Sequence, residues 1–152
     1  MLFRHYQPRG KVTTTTRHLS QDQVKHLEFI QATINRISGN SFLIKGWTLT
    51  VTSALLAFAT SSSNWHIALT SFVPLVAFWL LDSYFLRQER LFRGLYNDAR
   101  RPNSSVEPFS MDLHTYRSKI SYSRSIWSFT LTLFYGGLLM AHLFILITNA
   151  IK

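Results

Sequence analysis

An aspartate and a lysine stand where charge is expensive. Asp82 lies in FWLLDSYFL and Lys45 in FLIKGW, each a few residues from the basic end of a long apolar run. A charge inside such a run is ordinarily paired or functional. If the first two runs form an antiparallel hairpin, the two side chains reach similar depth, and an Asp82–Lys45 ion pair is the leading expectation. The alternative is that Lys45 snorkels towards lipid head groups while Asp82 bonds a neighbouring arginine. His142 is the other ionisable group inside an apolar run. It is assigned a structural hydrogen bond to Thr70 or Ser71 across helices in preference to a proton relay, because no second ionisable group stands at its depth.

Other chemistries lack their residues. There is no glycine-rich phosphate loop, no carboxylate pair at usable spacing, no G-x-S-x-G and no cysteine. The six histidines, at 5, 18, 26, 66, 114 and 142, have no metal-ligand spacing. The expectation is a non-enzyme with no cofactor and no metal.

The elements that must position Asp82, Lys45 and His142 follow from the apolar runs. Residues 42–60, 66–86 and 126–150 are long and nearly free of charge in this chain of 152 residues. At about 1.5 Å per residue, even the shortest covers roughly the ~30 Å hydrocarbon core of a bilayer. The fold expected is an all-α integral membrane protein with three transmembrane helices. Fourteen of the sixteen lysines and arginines precede the first run or lie between the second and third, and Lys45 lies just inside the first. The positive-inside rule therefore places the N-terminus in the cytoplasm and the C-terminus outside. The net charge of +9 is assigned to topology and to anionic lipids rather than to nucleic acid, for which no binding module is present.

The remaining segments are read as cytoplasmic. Residues 1–19 are a basic tail. Ser20 and Gln23 fit a capping box, and Val24, Leu27, Ile30, Ile34 and Ile37 then mark an amphipathic helix over 20–38, ended by Gly39–Asn40. No proline follows the second run until Pro102, so that span is expected to continue through 87–100 as one helix with Leu91, Phe92, Leu95, Tyr96 and Ala99 on one face. The two amphipathic faces pack on each other, lie on the membrane or meet neighbouring copies. Residues 101–125 form a linker with a short interfacial helix begun near Ser110. Arg87, Arg90, Arg93, Arg117, Lys119 and Arg124 belong either to a solvated, lipid-touching surface or to a site for an anionic molecule such as a nucleotide.

Gly46, Thr50, Ala54 and Ala57 give the first span a stripe of small residues, as do Gly137 and Ala141 in the third. Such stripes permit close helix packing, within a subunit or between subunits. A homo-oligomer is expected, because three spans bury little surface alone.

The segments HLEFIQATINRISGNSFLIKGWTLTVTSALLAFA, FWLLDSYFLRQERLFRGLYNDAR, PFSMD and LTLFYGGLL resemble a family of small multi-pass bacterial membrane proteins associated with antiviral defence loci. Members of that family can lie beside genes for TIR-like or nucleotide-signalling proteins. The resemblance covers about residues 26–145 and is most specific at K-G-W, 45–47, and L-D-S-Y-F-L-R-Q-E-R-L-F-R, 81–93. It implies a membrane effector at the bacterial inner membrane, with a cytosolic defence protein or nucleotide signal as partner. It brings no residue roles. The alternative from the residues is a constitutive anchor that docks a cytosolic partner through the helices at 20–38 and 87–100.

Overall fold

The computed structural model describes residues 19–62, 65–101 and 103–151. Apart from Leu19, the basic tail lies outside them. The described residues form six helices and no strand. These are α1 (Gln21–Ser62), α2 (Trp65–Thr70), α3 (Phe72–Ala99), α4 (His114–Arg117), α5 (Tyr122–Ile126) and α6 (Phe129–Ile151). Three helical stretches, Gln21–Ser61, His66–Ala99 and Phe129–Thr148, are long and apolar enough to cross a membrane.

The reciprocal capping box starts α1. Ser20 N–H donates to Gln23 Oε1 at 3.0 Å and Gln23 N–H to Ser20 Oγ at 3.2 Å, satisfying donors that the first turn would leave orphaned. The helix then runs 42 residues, about 63 Å at the standard rise. Gly39–Asn40 does not end it, contrary to the boundary expected between 38 and 42. A glycine inside a helix costs only about 1 kcal/mol relative to alanine. One buried seam crosses the site, comprising His26, Ile30, Ile34, Ile44, Thr48, Thr52 and Ala59. Packing of that seam against α3 outweighs the local helix-ending signal.

The second span differs in the opposite sense. Expected as one helix from 66 to 100, it is interrupted at Ser71, between α2 and α3. Pro74, three residues on, has no amide hydrogen for the carbonyl of Thr70, and its ring crowds that carbonyl. Beyond the interruption, α3 passes from apolar to basic sequence without a break and buries Leu75, Asp82, Ser83, Leu91, Leu95 and Ala99. The linker holds two short helices, α4 and α5, rather than one begun near Ser110, and α6 begins at Phe129 rather than 126.

Two apolar clusters result. At the arginine-bearing end, here the head, Ile30 and Ile34 of α1 meet Leu91, Leu95 and Ala99 of α3, closed over by Tyr116 of α4. The two amphipathic segments therefore cover each other within one chain. Between the spans, Leu75 packs with Leu131 and Tyr135 of α6, flanked by Phe72, Trp79 and Leu138.

Gly94 permits the closest approach in the head. A Cβ there would lie 2.9 Å from Tyr116 Cδ1 and 3.4 Å from Cε1. The ring cannot swing aside freely, because it is buried and its hydroxyl donates to Asp98 Oδ2 at 2.9 Å. Gly94→Ala should therefore lower stability by about 1–3 kcal/mol through overpacking, exceeding the gain of up to ~1 kcal/mol in helix propensity. Thermal unfolding in detergent micelles measures the balance. A variant as stable as the parent would show that Tyr116 yields.

Candidate functional site: a buried ion-pair network under a strapped head

Asp82 is fully buried, and its carboxylate is surrounded by donors from two other helices. Lys45 Nζ lies 2.6 Å from Oδ2. The Ser41 hydroxyl donates to Oδ1, and the Tyr135 hydroxyl stands 3.2 Å from Oδ2. Lys45 also donates to Ser41 Oγ at 2.9 Å, which closes a ring of three groups. The Tyr135 proton has a second acceptor in the Phe78 carbonyl at 3.3 Å. A buried carboxylate with this many donors is compensated, whereas one stripped of them is strongly destabilising.

Each position follows from helix geometry. Ser41 and Lys45 are four residues apart and face α3 together. Tyr135 lies on the buried face of α6, where Trp79 of α3 stacks on it with ring centroids 6.1 Å apart. Trp127 meets Trp79 edge-on at 5.7 Å. The network thus ties α1, α3 and α6 together just inside the head. Its geometry stores charge and orientation.

Lys45 and Asp82 meet as the hairpin expectation required, but Ser41 and Tyr135 were absent from it. Ser41 had a signal, since it precedes Lys45 by one helical turn. Tyr135, fifty-three residues from Asp82 in sequence, had none.

The expected basic cluster is divided by the structure. Arg87 Nε donates to the Ile120 carbonyl at 3.1 Å and Nη2 to the Arg117 carbonyl at 3.3 Å. Arg90 Nη1 reaches the Arg124 carbonyl at 3.2 Å. These two arginines hold the linker to α3 by its backbone. Arg93 is paired with Glu89 at 2.7 Å on the same helix. Lys119 stands 5.8 Å over the Tyr116 ring, and the side chains of Arg117 and Arg124 are exposed. The six do not converge on one anion site.

A head cavity of about 460 Å³ lies instead beneath residues 103–112 and is lined by Asp98, Glu107 and Asp112 with Arg101 as its one cation. That charge disfavours a phosphate-bearing ligand. The strap over it is fixed to α1, where His26 Nε2–H donates to the Ser110 carbonyl at 2.8 Å. Phe109, with φ 64°, contacts the rings of His26 and Phe29. Burial, with the hydrogen bond to Asp98, pushes the Tyr116 phenol up to about 12, so it remains a donor to Asp98 across the physiological range.

His142 does not bond Thr70 or Ser71. Its Nδ1 lies 2.7 Å from the Leu138 carbonyl of its own helix. The Thr70 hydroxyl donates to the His66 carbonyl and the Ser71 hydroxyl to the Ala68 carbonyl. Those backbone acceptors lie within reach on the same turn and capture the hydroxyls.

The small-residue stripes also differ from the intramolecular option. Gly46, Thr50, Ala54 and Ala57 on α1, with Gly137 and Ala141 on α6, face outward. A Cβ at Gly46 or Gly137 would meet nothing within 4 Å. The intramolecular seam uses other faces because it carries the larger buried side chains Ile44, Leu75 and Leu131.

No family model, curated protein or solved structure matches the chain.

Proposed function

We propose that this chain is a bacterial inner-membrane effector of antiviral defence, with its head in the cytoplasm and its C-terminus outside, and that it assembles as a homo-oligomer. The observation that carries the reading is continuity. The head and the apolar hairpin are built from the same two helices, α1 and α3, and both are unbroken where the Lys45–Asp82 network joins them. A cue that binds one arrangement of the head better than another shifts the hairpin with it. Among neighbouring copies, such a shift would disturb the bilayer. The outward small-residue faces of α1 and α6 offer the close approach that assembly needs. The orientation rests on the positions in the sequence of six lysines and arginines before the first apolar run, Lys45 just inside it and eight between the second and third runs, and the cellular setting rests on the family resemblance.

A second reading, a membrane anchor for a cytosolic protein, is favoured by the apolar side chains left exposed on the head, including Phe29 and Phe109. A membrane-potential dye separates the two in cells expressing the chain with its neighbouring genes, before and after phage infection. Depolarisation confined to infected cells supports the effector. An unchanged potential, together with loss of a cytosolic protein from the membrane fraction on deletion, supports the anchor and removes the effector reading.

A further inference from the structure

The head cavity is walled by three segments that the fold brings together. Asp98 comes from α3, Tyr116 from α4, and Glu107 and Asp112 from the strap. Its volume of about 460 Å³ falls within the ~300–1,000 Å³ typical of small-molecule pockets. Three of the chain's seven acidic side chains line it, although lysines and arginines number sixteen. The negative charge is local and runs against the balance of the whole chain.

Outside the cavity, Glu28, Asp82 and Glu89 pair with Lys25, Lys45 and Arg93. Within it, Asp98 takes the Tyr116 hydroxyl at 2.9 Å and Arg101 at 3.5 Å. Glu107 and Asp112 have no cationic partner among the described residues. Asp112 Oδ1 accepts the His114 amide at 2.8 Å, which leaves Oδ2. Tyr116 is 8% exposed, and its hydroxyl, having donated to Asp98, presents lone pairs alone. The cavity therefore offers acceptors and negative charge, while its one cation is engaged by Asp98.

We propose that the head cavity binds an organic cation, an ammonium or guanidinium group held by the carboxylates of Glu107 and Asp112 with the Tyr116 hydroxyl as a further acceptor. Both groups are donors only, so they match a lining that accepts. Their charge also offsets the mutual repulsion of carboxylates gathered on one cavity. A metal ion suits the cavity less, because among the described residues no three His, Cys, Asp or Glu side chains are grouped to hold one. The bound cation joins the strap to α4. Two sources carry this chemistry: a free polyamine, and the side chains of Arg4, Arg9, Lys11 and Arg17 in the segment that precedes the described residues. The site stands whether the chain is an effector or an anchor.

Isothermal titration of the full-length protein in an uncharged maltoside detergent, with spermidine as the probe at constant ionic strength, tests the site. A second chain, carrying Arg4→Gln, Arg9→Gln, Lys11→Gln and Arg17→Gln, separates the two sources. Equal binding to both chains identifies a site for a free amine. Binding found only in the second chain, or tighter there, identifies the basic tail as the resident cation. In whichever chain binds, Glu107→Gln with Asp112→Asn should weaken spermidine at least about tenfold through the lost charge-assisted bonds. That double substitution spares the fold, since both positions are exposed and an asparagine at 112 still accepts the His114 amide. Absence of binding in both chains, or binding undiminished by the double substitution, overturns the proposal.

Discussion

Asp82→Ala is expected to lower the stability of the folded chain by about 3–5 kcal/mol, the range for breaking a buried ion pair from one side. The substitution leaves Lys45 with Ser41 alone as a polar partner at that depth, and it strips Tyr135 of one of its two acceptors. Lys45→Met should cost as much or more. It leaves a carboxylate that is 0% exposed, whereas the Lys45 side chain retains 22% exposure and can reach for the head groups. The double variant Lys45→Met with Asp82→Leu removes both charges, and should return to within about 1–2 kcal/mol of the parent. Trp79 stacks on Tyr135, so tryptophan fluorescence during a denaturing-detergent titration reads the site directly. An Asp82→Ala loss below about 1 kcal/mol would mean that the pair orients the helices without stabilising them. Failure of the double variant to recover would assign the loss to packing instead of charge.

The other large effect belongs to the head. Leu91 is fully buried among Ile30, Ile34, Leu95 and Tyr116, and Leu91→Ala should cost about 2–5 kcal/mol through lost transfer energy and the cavity left behind. Its signature is regional. Hydrogen exchange should quicken over residues 21–38 and 103–126, where the head cluster and its strap are held. Residues 44–59 and 75–83 should stay protected by the seam between the spans. Equal loss of protection in both regions would instead make head and hairpin one cooperative unit. Protection unchanged in the head would show that the strap, anchored by Arg87, Arg90 and His26, holds without the cluster.

Three apolar segments, the basic end of the hairpin and the nearness in depth of Lys45 and Asp82 are decided by the residues alone. Hydrocarbon length, charge placement and antiparallel pairing are properties of sequence spacing. The start of α1 was equally legible, because a capping box is made within four consecutive residues. The end of its head segment was not. Gly39–Asn40 is a local stop signal worth about 1 kcal/mol, and only the seam from His26 to Ala59 against α3 overrides it. The interruption at Ser71 had a local cause in Pro74, yet its position opposite His142 depends on how α6 docks. Tyr135 reaches Asp82, Arg87 and Arg90 grip the linker, and the head cavity gathers acids in a chain of net charge +9. Each of these joins residues far apart in the chain, so their meeting is set by tertiary packing, for which short-range spacing carries no information.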